Sequence, residues 1–388
     1  MKLPNKNEEF LPQCYTSLME FLTNVIIAIF TAYLSFTNFL AGEIIEFLEP
    51  VDDTATIIET STSSNEEIKI PSLPTDFPYQ NIIPNILINN PEYQKASLLD
   101  STEIINATTN DPLVAIVNIY CTYTTSTFLR TTTGTGFFVS PGGVILTNAH
   151  VAQFFLLENT DALGNTECII RSGSPATPKY TAELLYISPA WVQEHAKLIN
   201  EPSPSGTGER DYALLYVNNT IDGSPLPATF PALKTNTDLL PRSITGTTVT
   251  ASGYPAESLL TSGFDTDLLP REATSTITEL YTFGSNYADI FSITGSKIGE
   301  HGSSGGPIVT DYGSVIGMIT TKGDDIKDGT GSLRAITLSH INRTITEETG
   351  FSFARNVSGN LPYRARIFTE TMAPFLRNIL EDASKTEL

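Results

Sequence analysis

From Asp111 onward the chain alternates short apolar runs with clusters of Gly, Pro, Asn, Asp and Ser, the pattern of strands separated by turns. A first group of predicted strands covers Val114–Tyr120, Gly136–Ser140, Val144–Asn148, Ala182–Ser188 and Tyr212–Val217. A second covers Thr248–Gly253, Ser275–Tyr281, Asp289–Thr294, Pro307–Thr310, Ser314–Thr321 and Leu333–Leu338. Two groups of about six strands each predict an all-β domain of two packed six-stranded antiparallel barrels. Ser339 is the expected N-cap of a helix carrying Ile341 and Ile345 at i, i+4 spacing and stopping near Gly350. Beyond it, Arg366–Lys385 reads as a weakly amphipathic helix interrupted by Pro374.

The N-terminal part has a different texture. Phe21–Gly42 carries no charged residue and is mostly apolar, just long enough at a helical rise to span a hydrocarbon core. Three readings compete: a membrane anchor, a cleaved signal peptide and a buried soluble helix. A signal peptide wants a more basic start than Lys2 and Lys6 diluted by Glu8 and Glu9, and small residues where Phe39 and Leu40 stand. In a buried helix the polar residues would gather on one face, and Thr23, Asn24, Thr31, Ser35 and Asn38 are scattered. The anchor is the favoured reading. Both lysines precede the span and five acids follow it closely, so an N-terminus inside and the rest outside is the expected orientation. The segment after the span is acidic and rich in Thr, Ser, Pro and Asn, with too few apolar clusters to offset the entropy of ordering. It reads as a tether with two short docking elements, QNIIPNILI and YQKASLLD. The expected organisation is therefore a cytoplasmic N-terminus over 1–20, an anchor over 21–42, a linker over 43–110, a catalytic domain over 111–350 and a helical tail over 351–388.

Charge and cysteine content narrow the function classes. The formal net charge is −21, which excludes electrostatic attraction to nucleic acid or anionic lipid. Cys14, Cys121 and Cys168 form no CxxC pair, so neither a zinc site nor thioredoxin-like chemistry is expected. Outside the cell Cys121 and Cys168 would pair as a disulfide; the alternative is two buried thiols. Asn-X-Ser/Thr triplets at Asn106, Asn218, Asn342 and Asn356 are of a kind that arises readily by chance in so Thr- and Asn-rich a chain.

Amide hydrolysis by a serine needs a nucleophile, a base, an acid to orient that base, and donors for the oxyanion. Four histidines are present. His150 ends GTGFFVSPGGVILTNAH, two strands joined by a Pro-Gly-Gly turn, and can present its ring to a cleft. His195 lies in the charged helical stretch AWVQEHAKLINE, His340 opens the C-terminal helix, and His301 is too close in sequence to Ser304 to serve it as a base. Asp211 stands at the mouth of an apolar strand in GERDYALLYV. Ser304 stands in GSSGGP, where flanking glycines permit a turn that points the Gly302 and Ser304 N–H groups together.

GTGFFVSPGGVILTNAHV, GERDYALLYV and GEHGSSGGPIV, in that order, resemble the three signature segments of trypsin-fold (chymotrypsin-like) serine peptidases, most closely the bacterial HtrA/Deg-type branch. The resemblance covers about Asp111 to Gly350. It implies His150 as general base, Asp211 as orienting acid, Ser304 as nucleophile and Gly302 with Ser304 as oxyanion hole, with no cofactor or metal. It places the primary substrate pocket at Ile298, Gly299, Glu300 and His301 and at Thr320, Thr321 and Lys322. Ile298 stands six before Ser304 where an Asp would select Lys or Arg, so cleavage after small or medium apolar residues is expected. Three departures matter. The interval from His150 to Asp211 is 61 positions, and the excess lies in SPAWVQEHAKLINEPSPSGTG, an inserted loop and helix. Ser303 replaces the Asp that pairs with a new N-terminus in digestive relatives, so that activation switch is not expected. The 38 residues after Gly350 are too few for the PDZ domain that HtrA-type members carry. The expected protein is thus a single-pass serine endopeptidase of the cell membrane, its protease domain extracytoplasmic and its partners protein or peptide substrates rather than nucleic acid. The alternative is an inactive trypsin-fold binding module on the same tether.

Overall fold

A computed structural model describes residues 85–98, 107–124, 129–158, 165–201, 206, 208–256, 267–284, 286–295, 298–299, 301–322 and 332–385, all within one compact unit, Thr75–Leu388. The side chains of Leu129, Thr321, Lys322 and Lys385 are not among those described. The predicted anchor Phe21–Gly42 lies outside the described residues. Among the described residues no helix is long and apolar enough to cross a membrane.

The first barrel contains β1 (Ile116–Thr124), β2 (Leu129–Ser140), β3 (Val144–Thr147), β4 (Asn165–Ser172), β5 (Thr177–Ile187) and β6 (Ala213–Thr220). They close in the order β1-β2-β3-β6-β5-β4. A two-residue strand, β7 (Lys234–Thr235), leads to the second barrel: β8 (Thr248–Gly253), β9 (Arg271–Tyr281), β10 (Ile290–Ile293), β11 (Pro307–Thr310), β12 (Ser314–Lys322) and β13 (Leu333–Thr337). These run β11-β8-β9-β10-β13-β12 and close by β11 pairing with β12, while β7 adds to β12 in parallel. The two six-stranded antiparallel barrels are therefore those expected from the strand pattern. Full closure leaves neither sheet with a long open edge.

β4 is a strand that the sequence pattern does not predict. Its burial alternates from Asn165 to Ile170, with Thr166, Cys168 and Ile170 inward, but two of the three outward positions there are Asn165 and Glu167. Cys121 and Cys168 stand directly opposite each other in the β1–β4 register and are joined as a disulfide. Cross-linking residues 47 apart restricts the unfolded chain, and replacing both by Ser should lower unfolding stability by about 2–4 kcal/mol. The measurement is a denaturant midpoint in non-reducing buffer, with wild type in reductant expected to fall to the same value. An unchanged midpoint in the double variant would contradict the pairing.

The helices refine the expected C-terminal architecture. The described α-helices longer than four residues are, in chain order, α1 (Pro91–Leu98), α2 (Pro189–His195), α3 (Leu338–Thr349), α4 (Leu361–Thr371) and α5 (Ala373–Lys385). The N-cap of α3 is Thr337, whose side chain accepts from the His340 N–H, and not Ser339. Gly350 ends α3 with φ +78°, a left-handed conformation that glycine adopts without strain. The segment Arg366–Lys385 is not one interrupted helix: the chain breaks at Met372 and Pro374 becomes the second residue of α5, where its missing N–H goes unused.

After Gly350 the chain packs rather than trails. Phe353, Ala365, Phe368, Met372, Leu376 and Leu380 are buried in the same apolar cluster as the first barrel. The guanidinium of buried Arg364 donates to the carbonyls of Arg355, Asn356 and Ser358 and to Asn356 Oδ1, satisfying the end of the preceding turn. Asn356 itself is fully buried and donates to Phe351 O, which closes that triplet to glycosylation in the folded protein. α1, on the second of the two docking elements expected in the linker, seats Tyr93 and Ala96 here, and Gln94 Nε2 donates to Thr349 O at 2.9 Å.

Candidate active site

His150 sits on the single helical turn Ala149–Ala152 that follows β3, and it is 3% exposed. Two amides hold this turn in place. Asn148 Nδ2 donates to Asp211 O at 2.8 Å, and Gln153 Nε2 donates to His150 O at 2.9 Å. Asp211 precedes β6 and is fully buried. Its Oδ2 lies 2.8 Å from His150 Nδ1 and its Oδ1 accepts the His150 backbone N–H at 3.0 Å. Thr320 Oγ1, from β12 of the second barrel, donates to the same Oδ2 at 3.1 Å.

Burial alone would push the Asp211 carboxyl up. The His150 ring, the His150 backbone N–H and the Thr320 hydroxyl outweigh it and hold the group below its ordinary value. An ionised Asp211 can only accept, so the proton of a neutral imidazole resides on Nδ1 and Nε2 presents a lone pair. The carboxylate thereby fixes both tautomer and ring orientation.

Behind Asp211, Arg210 adopts φ +54°, the one non-glycine residue with positive φ among those described. Its guanidinium lies 3.0 Å from Glu209, 3.5 Å from Glu347 and 3.1 Å from Glu348. Glu348 is 2% exposed and accepts from Tyr186 Oη at 2.6 Å and Ser188 Oγ at 2.8 Å. Burial pushes its carboxyl above the usual range against the pull of these donors and Arg210.

Ser304 stands in the turn before β11, which is docked onto the first barrel by Thr135 of β2. The Thr135 N–H donates to Ser304 O at 2.8 Å, and Thr135 Oγ1 donates to Gly302 O at 2.6 Å while accepting the Tyr254 N–H at 2.9 Å. Gly305, at φ +89°, lies so close that an added Cβ would stand 1.9 Å from Thr135 O and 2.6 Å from Thr147 Oγ1. Only glycine fits there. Thr147 ends β3 three positions before His150, so the strands that seat the serine turn also deliver the imidazole. The Gly302 and Ser304 N–H groups donate to no described residue. Ser303 is 1% exposed and its hydroxyl has no hydrogen-bond partner among the described residues.

His150 and Asp211 are thus brought into direct contact, and the Ser304 turn is docked on β2, the neighbour of the β3 strand that leads into His150. Among the described residues no hydrogen bond joins His150 Nε2 to Ser304 Oγ. Of the expected pocket residues, Ile298 is fully buried in the core of the second barrel, Gly299 is half-buried and His301 is exposed, its carbonyl accepting the Ala256 N–H. Glu300 and the side chains of Thr321 and Lys322 lie outside the description. Thr320 is a donor to the buried acid. His195 closes α2 stacked on Trp191, and His340 is paired with Asp289 at 3.1 Å, so neither joins this site. The two described cavities, of about 390 and 440 Å³, lie elsewhere, against Tyr312 and against Glu158. Among the described residues no group of acids, histidines and cysteines could hold a metal ion.

Sequence reasoning missed Thr135 and Asn148. Asn148 was visible in the TNAHV run, whereas Thr135 is one of four threonines between Thr131 and Thr135, and nothing local distinguishes it.

Residues 134–318 match the family model of the trypsin-like peptidase domain. No curated protein matches the chain in sequence. Solved structures that match include the Rv3671c protease of M. tuberculosis in its active form, 20% identical over 64% of this chain and 91% of that one, with a TM-score of 0.36. The inactive form of the same protease matches at 20% identity over 61% of this chain and 90% of that one, again with a TM-score of 0.36. The family match falls on the strands and turns that hold His150, Asp211 and Ser304, and the chain accordingly carries a trypsin-like peptidase domain at residues 134–318.

Proposed function

We propose that the protein is a serine endopeptidase acting through Ser304, His150 and Asp211. The observation that carries this reading is the buried His150–Asp211 pair, with the glycine-bounded Ser304 turn seated on the strands that lead into His150. Ser304 Oγ attacks the scissile carbonyl as His150 Nε2 takes its proton. Asp211 stabilises the imidazolium through Nδ1–H. The developing oxyanion is received by the Gly302 and Ser304 N–H groups, which no described group occupies. His150 then returns the proton to the leaving amine, and water, activated by the same imidazole, releases the acyl group from Ser304. Catalytic hydrogen bonds of this kind are often long in an unliganded site and tighten when substrate fills the cleft.

The same reading puts the enzyme on a membrane through Phe21–Gly42, with its protease domain on the extracytoplasmic side. Support comes from the uncharged apolar span and from the Cys121–Cys168 pair, since disulfides persist in oxidising compartments. With Ile298 rather than an acid six before Ser304, cleavage after small or medium apolar residues is expected. The alternative is an inactive trypsin-fold binding module on the same tether. A peptide-library digest with wild type beside Ser304→Ala decides between them. Cleavage enriched after Ala, Val or Ile in wild type alone is expected. Equal patterns in both would leave the binding module, and cleavage after Lys or Arg would reject the pocket assignment.

A further inference from the structure

We infer that Glu348, at the far end of α3, is a positioning residue for this site: by holding Arg210 in its left-handed backbone conformation it aims the Asp211 carboxylate at His150. The inference rests on the proposed serine-peptidase reading and extends it to a residue outside the matched domain.

Three observations lead there. The backbone at Arg210 is the first. A Cβ atom disfavours positive φ, so a non-glycine residue found there is held by its surroundings. Asp211 follows immediately, and its two oxygens must meet a ring nitrogen, a backbone N–H and a hydroxyl from the opposite barrel at once. A relaxed φ at Arg210 would swing that carboxylate away from all three.

The second is what holds Arg210. Glu209 and Glu347 are 47% and 64% exposed, so their attraction is largely screened by water. Glu348, with a side chain 3% exposed, acts from the interior, and its contact with Arg210 Nε is one of charge rather than an aligned hydrogen bond. Its Oε1 is fixed by Ser188, the N-cap of α2, and its Oε2 by Tyr186 at the end of β5. The anchor for Arg210 is therefore built from three separate elements.

The third is the position of Glu348 in its own helix. Glu347 and Glu348 occupy the last turn of α3, where the helix dipole disfavours anions. Glu348 is also buried, which further disfavours its charge. An acid placed at a cost to both helix and core serves a partner outside the helix, and that partner is the residue preceding Asp211.

The test is a double-mutant comparison. Glu348→Gln keeps a similar shape and can still accept from Tyr186 or Ser188, but it removes the charge that holds Arg210. It should lower kcat by about 10²-fold, the scale of an ångström-sized misplacement, with KM little changed. Glycine adopts positive φ without help, so in an Arg210→Gly background the same substitution should cost less than about threefold. The low-field proton resonance of His150 Nδ1–H reports the Asp211–His150 contact without requiring turnover. It should weaken or shift in Glu348→Gln and stay put when Glu348→Gln is added to Arg210→Gly. Glu348→Asp retains the charge but withdraws it by one methylene, and should show the same background dependence at smaller amplitude if Glu348→Gln folds poorly. Equal costs in both backgrounds, or an unmoved resonance in Glu348→Gln, would overturn the inference and leave Glu348 a stabilising ion-pair member. A resonance that follows the predicted pattern in a protein with no Ser304-dependent cleavage would uphold the positioning role and overturn the peptidase reading.

Discussion

His150→Ala should lower kcat by about 10⁶-fold, and adding Ser304→Ala to it should cost almost nothing more. The size follows from the proposed chemistry: without the base the Ser304 hydroxyl stays protonated, and without the hydroxyl the base has no proton to take. The two act as a unit, so their effects do not add. The variants should remain folded. In His150→Ala the Asp211 carboxylate keeps the backbone N–H of residue 150 and the Thr320 hydroxyl. Some stability is lost, because a buried charge has lost its counterpart and a buried ring has left a void. Circular dichroism and a melting curve establish the fold, and hydrolysis of a chromogenic peptide chosen from the library digest gives kcat. Single variants that retain more than a tenth of wild-type kcat would remove His150 from the mechanism, and a strictly additive double variant would show that the two residues do not work together.

Asp211→Asn should cost about 10⁴-fold in kcat while leaving the geometry intact. An Asn of the same shape can direct its NH₂ at His150 Nδ1, which must then become the acceptor and carry its proton on Nε2. The nitrogen facing Ser304 would no longer have a lone pair. The arrangement here favours that outcome strongly, since one carboxylate oxygen already serves the His150 backbone N–H and the other is shared by the ring and Thr320. An Asn carbonyl kept on the backbone N–H leaves its NH₂ facing the ring. The measurement is kcat and KM with one peptide at pH 7, together with a proton spectrum of the His150 ring. KM should change little. A fall in kcat of less than tenfold, or a ring that still carries its proton on Nδ1, would show that Asp211 does not set the tautomer.

The barrels were legible because closed sheets demand short apolar runs bounded by turns, and most strands here obey that pattern, from Val144–Thr147 to Leu333–Thr337. β4 escaped because strand identity there depends on what its neighbours bury: Thr166 and Cys168 face inward while Asn165 and Glu167 face out. The cap of α3 was misplaced by two residues because Thr337 ends a strand and caps a helix at once, and a hydroxyl in a strand run gives no local sign of the second task. His150 and Asp211 could be singled out by their neighbours in sequence, and the structure puts them in contact. What surrounds them was not legible. Thr135 reaches Gly302, Ser304 and Tyr254 across the two barrels, and Thr320 reaches Asp211 the same way. Contacts across more than a hundred residues are set by how the barrels pack, which no local pattern records. The C-terminal helices carry the same lesson. Arg364 and Glu348 are both buried, against the usual rule for charged side chains: Arg364 finds its acceptors in the turn just before its own helix, whereas Glu348 finds its donors at the end of β5 and the start of α2, far away in sequence.

One measurement bears most directly on the proposed nucleophile. A fluorophosphonate probe reacts covalently with a serine only when a base activates its hydroxyl and oxyanion donors receive the phosphonyl oxygen. The folded protein should take up one probe per chain, with the added mass on the tryptic peptide containing Ser304. Ser304→Ala should take up none, and Asp211→Asn should label far more slowly than wild type. A folded wild-type protein that stays unlabelled, or one that carries the probe on another residue, would contradict Ser304 as the nucleophile.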